Sequence, residues 1–220
     1  MDAAAWDERY TDEQLVWGSD PNRWVVAELA ALTPSTALDL ASGEGRNAIW
    51  LASEGWSVTA IDFSAVAVDR ARGLADEVAK RSGRDLDITW RVEDVTTAEV
   101  TQSAYDAVLV SYLQLPAYER RGAMRTAARA LAPGGVLLVV AHDTSNLTDG
   151  YGGPQDAEVL YSAADVEEDL QDYLTSGSLV IERSGRVARE IETDDGPVIA
   201  WDLLVRLKGR DIHKGEVTFG

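Results

Sequence analysis

LDLASGEGRN, residues 38–47, carries an apolar run into an acid, Asp39, then through Gly43 and Gly45 to Arg46 and Asn47 at the start of a predicted helix. A short buried-type strand that breaks at a glycine loop and resumes as a helix opens a strand–helix–strand crossover. The alternation continues outward. RNAIWLASEG reads as a helix ending at Gly55, and SVTAID as a second strand that again closes on an acid, Asp62. Ser64 can cap the next helix, whose Val68, Ala71, Leu74 and Val78 recur at helical spacing before Gly83. DITWRVED alternates like a strand and closes on Glu93 and Asp94. YDAVLVSYL is the near-continuous apolar run of a strand covered on both faces. A helix opened by Pro116 and stopped by Pro133, Gly134 and Gly135 leads into GVLLVVAHD, the fifth strand. The series predicts the α/β class: a doubly wound, Rossmann-like sheet, mostly parallel, with helices on both faces.

The flanks differ from this core. SDPNRWVVAELAAL is an amphipathic helix that Asp20 can cap, with Pro21 in its first turn and Trp24, Ala27 and Leu32 facing inward. WDERYTDEQLVWG ahead of it is aromatic-rich without a helical stripe and reads as an arm or lid. After the fifth strand come a polar glycine-rich loop, HDTSNLTDGYGGPQD, and a helix from Ser162 to about Tyr173. GSLVIERSGRVAREIE and GPVIAWDLLVRLKG then form an antiparallel pair that completes the sheet. The expectation is one domain over residues 1–220. In it, 1–34 act as an N-terminal lid, 36–143 bind a cofactor, and 144–220 supply the substrate-side loop, helix and C-terminal strands.

Composition narrows the function. With 38 acids against 20 lysines and arginines the net charge is −18. Such a surface repels phosphate backbones and anionic membranes, so neither nucleic acid nor membrane is an expected partner. There is no cysteine, hence no disulfide and no thiol nucleophile, and two distant histidines make no metal set. The N-terminus lacks a signal pattern and no apolar run is long enough for a span, which points to the cytoplasm. Monomer and homodimer stay open.

In an open α/β sheet ligands bind beyond the carboxyl ends of the strands. Gly43, Gly45 and Ala48 formally satisfy G-x-G-x-x-A, so a nicotinamide or flavin dinucleotide has to be weighed. Asp39 and Glu44 argue against it, because two carboxylates repel a pyrophosphate, and no hydride-transfer constellation follows. A cationic ligand without phosphate reverses the argument. S-adenosyl-L-methionine needs bare backbone at its amino-acid end, a carboxylate for its ribose hydroxyls and an apolar slot for adenine. Gly43 and Gly45 offer the first, Asp62 the second and Phe63 the third. Asp94 can accept from the adenine amino group, Val95 can offer a backbone N–H, and Asp39 can orient the loop or reach the ammonium through water.

LDLASGEGRN, VTAIDFS, VEDV and YDAVLVSYL, in this order, resemble successive motifs of the class I S-adenosylmethionine-dependent methyltransferases, and the likeness runs over roughly residues 6–208. The G-x-G-R-N form, HDT after the fifth strand and a W-x-x-x-Y…W/Y-G-x-x-P-N leader are similar to the tellurite-resistance and thiopurine methyltransferase group. Members usually have Gly-Cys where this chain has Ala41-Ser42. The resemblance implies cofactor contacts at Asp39, Ala41, Gly43, Arg46, Asp62, Phe63, Asp94, Val95 and Ser111. Ser42, Gly45, Ser64, Trp17 and Arg23 complete the candidate cofactor-binding set.

The expected activity is methyl transfer by in-line displacement to a small-molecule nucleophile at S, Se, Te, N or O. The acceptor would sit above the ends of the fourth and fifth strands, near Tyr112, Gln114, His142 and Asp143. Trp17, Arg23, Tyr10 and Tyr151 could close over it. His142 and Tyr112 are the candidate catalytic residues, His142 as a base because its reference pKa is near neutrality. Asp143 could orient it if the backbone turns there. His142 also reads as an ordinary strand-end histidine, and Trp6, Tyr10 and Trp17 as core packing. Two other function classes compete: a cofactor-binding module without turnover, and a nicotinamide-dependent oxidoreductase.

Overall fold

The computed structural model describes residues 3–11 and 18–210. Strand β1 (Thr36–Leu40) has β2 (Ser57–Asp62) and then β3 (Ile88–Val92) on one side, and β4 (Tyr105–Ser111) and β5 (Leu131–His142) on the other, all parallel. The tail strands β6 (Leu179–Thr193) and β7 (Gly196–Gly209) form an antiparallel hairpin. β7 lies beside β5, so the order across the sheet is β3-β2-β1-β4-β5-β7-β6. Around the sheet lie α1 (Ala3–Thr11), α2 (Arg23–Leu29), α3 (Arg46–Ser53), α4 (Ala65–Ser82), α5 (Ala117–Ala130), α6 (Ala163–Asp169) and α7 (Gln171–Thr175).

Successive strand residues point to opposite faces, so each central strand feeds two apolar layers. Leu38 and Leu40 of β1, Val110 of β4 and Val139 of β5 pack with Met124 of α5 and Val166 of α6. Ala37, Leu109 and Leu138 point the other way, against Val25 and Leu29 of α2 and Leu51 of α3. Burial on both faces is why these strands read as unbroken apolar runs. The chain leaves β1 toward α3 on one face and β4 toward α5 on the other. That divergence opens a crevice between the two strand ends.

Local signals held where a single side chain decides them. Ser64 caps α4, its Oγ accepting from the Ala67 N–H at 3.0 Å, and Gly83 ends it in the left-handed region at φ 67°. On the core face of α4, however, Ala67 and Ala75 are buried alongside Val68 and Ala71, while Leu74 and Val78 are only half-buried. Three other expectations need correction. Asn22, not Asp20, caps α2, accepting from the N–H groups of Trp24 and Val25. This starts the helix at Arg23 and turns Val25 and Leu29 inward, leaving Ala27 exposed. The leader contains a helix, α1, whose Trp6 and Tyr10 rings stack 5.5 Å apart. The segment after Ser162 is two short helices, α6 and α7, the first opened by a capping box between Ser162 and Asp165. No helix among the described residues is long and apolar enough to cross a membrane.

Candidate active site

A cleft follows the carboxyl ends of β1, β2 and β4. One end is walled by Ser42, Gly43, Ser111, Gln114, Arg46 and Tyr10. It continues past Ala41, Asp62 and Phe63 into a wider hollow of about 680 Å³ bordered by Asp94 and Val95. The loop after β1 forms its floor. Ala41 at φ 60°, Gly43 at φ 54° and Gly45 at φ 79° all lie in the left-handed region, so the chain doubles back before entering α3. At position 41 this conformation costs an alanine about 1–2 kcal/mol. Asp62 ties the loop to the second strand: Oδ2 accepts from the Gly43 N–H at 2.8 Å and Oδ1 from the Ser64 N–H at 2.9 Å. Burial raises its pKa, and these two N–H groups oppose the rise.

Three buried oxygens that line the cleft, Ser42 Oγ, Ser111 Oγ and Gln114 Oε1, have no hydrogen-bond partner among the described residues. An unsatisfied buried polar atom costs about 1–3 kcal/mol, so the wall is built for a polar ligand. Together with the bare backbone at Gly43 and the carboxylates of Asp62 and Asp94, these oxygens fit the amino-acid and nucleoside ends of S-adenosylmethionine.

Asp39 sits beneath the loop rather than in the cleft wall. It is completely buried, and among the described residues neither oxygen finds a hydrogen-bond partner of normal geometry. Burial, then the nearby Asp62 charge, raise its pKa from 3.8 to about 7, while Arg46 opposes the rise. The folded protein thus keeps a proton that the unfolded chain releases at 3.8. Stability from this group is full below the unfolded value and is lost as pH rises toward the folded one. Relative to Asp39→Asn, the wild type should lose about 1.4 kcal/mol per pH unit across this window and then level off. Urea unfolding of both proteins at a series of pH values checks it, and parallel curves would contradict it.

Beyond the cleft, Tyr112 at φ 54° turns the chain out of β4 and its ring meets that of His142 at 4.7 Å. Both converge on a residue that the sequence reading passed over, Asp202 of β7. Its Oδ2 accepts from Tyr112 Oη at 3.0 Å, Trp24 Nε1 at 2.9 Å and Arg189 Nε at 2.7 Å, and its Oδ1 from Arg189 Nη2 at 3.2 Å. His142 Nδ1 lies 3.6 Å from Oδ1. Register explains the cluster: His142 is the cross-strand partner of Asp202 on β5, and Val187, two residues before Arg189, is its partner on β6. Burial, reinforced by Asp202, pushes the Tyr112 phenol up to about 12. Burial also lowers the pKa of His142, which Asp202 offsets in part. The signal for Asp202 was an acid inside the apolar run IAWDLLV, since a buried carboxylate demands partners.

Several candidates lie elsewhere than expected. Gly45 faces away from the cleft: a Cβ there would stand 2.9 Å from Trp90 Cζ3 and 3.0 Å from the Ala71 Cβ. Ser64 is committed to its cap and to the Asp7 carboxylate, and it does not line the cleft. Arg23 lines a neighbouring cavity with Arg189 and His142. Asp143 does not orient His142; it caps the 3-10 turn Thr144–Leu147, accepting from Ser145 N–H. Tyr151 is half exposed, and it is Gly153 that packs against the His142 ring. One oxygen of Asp94 is taken by the Thr96 N–H and hydroxyl. Trp17 lies outside the described residues. Among the described residues no group of three or more acids and histidines could hold a metal.

Residues 37–135 match the family described as methyltransferase domain. Over 137 residues the chain is 29% identical to the demethylmenaquinone methyltransferase of Clavibacter sepedonicus, covering 61% of this chain and 53% of that protein. It thus spans about half the length of the curated relative. Among solved structures, one described as "Conversion of a Disulfide Bond into a Thioacetal Group during Echinomycin Biosynthesis" superposes with a TM-score of 0.71 at 21% identity, over 96% of this chain and 94% of the other. The N-methyltransferase NodS of Bradyrhizobium japonicum, in complex with S-adenosyl-l-homocysteine, gives 0.69 at 17% identity, over 95% and 98%. The sheet order and the antiparallel tail are thus those of a Rossmann-like methyltransferase fold.

Proposed function

We propose that the methyltransferase domain of residues 37–135 makes this chain an S-adenosylmethionine-dependent methyltransferase acting on a small-molecule nucleophile. The observation that carries this reading is the cleft itself, glycine-floored, acid-edged and lined by buried oxygens without partners. S-adenosyl-L-methionine, when bound, supplies a methyl group on a cationic sulfur, which a nucleophile takes in line as the carbon–sulfur electron pair returns to sulfur. The protein binds and orients. The lone pairs that Asp62 leaves unused accept the ribose hydroxyls, Phe63 covers the adenine, and the second oxygen of Asp94 and the Val95 N–H meet its edge. Ser42, Ser111, Gln114 and Arg46 hold the amino-acid end. On the acceptor side His142 is neutral near pH 7 and can take a proton. The Tyr112 phenol keeps its proton and serves for position. The leader and the HDT sequence support the narrower likeness to the tellurite-resistance and thiopurine group. The acidic, cysteine-free chain suits a cytoplasmic monomer or homodimer.

The test pairs binding with turnover. S-adenosylhomocysteine should raise the melting temperature where NAD(P) does not, and labelled cofactor should pass its methyl group to a member of a panel of thiols, chalcogen oxyanions, amines and phenols. Stabilisation by NAD(P) alone would replace this reading with an oxidoreductase. Cofactor binding with no transfer to any acceptor would leave a binding module. Asp62→Ala should weaken S-adenosylhomocysteine by about 1.5–3 kcal/mol, the range for hydrogen bonds to a charged group. Unchanged affinity by titration would mean that the ribose lies elsewhere.

A further inference from the structure

Next to the cleft lies a second cavity of about 370 Å³, within the range of small-molecule pockets. It shares Gly18, Arg46 and Tyr112 with the cleft, so the two adjoin. Its lining inverts the charge of the molecule. Among the described residues that line it, three are arginines, Arg23, Arg46 and Arg189, and one, Asp20, is an acid, in a chain with 38 acids and 20 bases. The Arg23 side chain makes no hydrogen bond or ion pair among the described residues. Arg189 is held from behind by Asp202, which takes Nε and Nη2 and fixes the plane of the guanidinium. The group has five N–H donors in a rigid fork, so others remain for a ligand.

Building on the methyltransferase reading, we propose that this cavity is the acceptor pocket and that it receives a small organic acid, whose carboxylate pairs with Arg23 and Arg189. Planar guanidinium groups match a carboxylate geometrically as well as in charge. An amine in the same place would face the guanidinium groups of Arg23 and Arg189, both of its own charge. A neutral acceptor would leave the arginine donors to water. With its carboxylate held there, the acid presents its nucleophilic atom along Tyr112, one of the three residues common to both cavities.

The experiment titrates benzoate, benzamide and benzylamine into the protein loaded with S-adenosylhomocysteine, by calorimetry or ligand-observed NMR. Benzoate should bind at least about tenfold more tightly than the other two. Arg23→Gln should lose on the order of tenfold in benzoate affinity, the effect of one charge-assisted hydrogen bond, with S-adenosylhomocysteine affinity unchanged. Arg23→Lys should restore part of it. Equal binding of benzamide, or full benzoate affinity in Arg23→Gln, overturns the proposal. Loss of S-adenosylhomocysteine affinity in Arg23→Gln overturns it too, because Arg23 then serves the donor. Repeating the titration without S-adenosylhomocysteine separates the two readings. A wild type that ignores S-adenosylhomocysteine but still selects benzoate through Arg23 keeps the acid site and loses the methyltransferase.

Discussion

The Asp202→Ala protein should melt roughly 6–20 °C below the wild type, corresponding to a loss of about 3–5 kcal/mol. The carboxylate is completely buried and takes hydrogen bonds from Trp24, Tyr112 and Arg189. Removing it strands those donors and leaves the Arg189 cation, whose side chain is 22% exposed, without its counter-charge. Breaking a buried pair from one side is the costly case, since the remaining charge is still desolvated. Asp202→Asn keeps the shape and one acceptor oxygen and should lose less. The alanine variant should also disturb the proposed acceptor side selectively, because Tyr112 and His142 lose their shared neighbour while the Gly43 loop does not. Thermal melts of both variants and a titration with S-adenosylhomocysteine read the two effects. A loss below about 1 kcal/mol would mean that water fills the gap and satisfies the donors.

Gly45→Ala should cost a similar amount, about 2–5 kcal/mol, for a different reason. At φ 79° a side chain is strained by about 1–2 kcal/mol. The new methyl would also stand 2.9 Å from Trp90 Cζ3, and closer still to its Cη2. Overpacking of this kind adds about 1–3 kcal/mol. A double-mutant cycle with Trp90→Ala divides the sum, because the packing part vanishes when the indole is gone and the backbone part does not. Gly45 does not border the cleft, so the folded fraction should bind S-adenosylhomocysteine normally. Reduced affinity at full folding would place the cofactor on this glycine after all.

These two residues show where sequence reading reaches and where it stops. The central strands β1, β4 and β5 were legible because each is sandwiched between apolar layers, and the caps at Ser64 and Gly83 because they depend on one or two residues. The position of Asp62, Gly43, Ser111 and Asp94 at the carboxyl edge of the sheet was legible because each ends a strand or follows one within three residues. Gly45 was assigned to a ligand although its neighbour is an indole from β3, contributed 45 residues later in the chain. Asp202 was missed because its donors Trp24 and Tyr112 lie 178 and 90 residues away. Only the register of β5, β7 and β6 brings them together. Asn22 was displaced in the reading by Asp20, an equally good capping residue, because the choice depends on where the backbone turns after Pro21.

The position of β7 between β5 and β6 has a consequence for synthesis. The glycine loop and the strands that shape the donor cleft are all complete by the end of β5, so a nascent chain could assemble that half while still attached to the ribosome. The acceptor half must wait. Tyr112 and His142 gain their buried carboxylate neighbour, and Arg189 its counter-charge, only when the hairpin emerges and lays its second arm against the waiting edge of β5, so the final strand is the one that completes the proposed acceptor side.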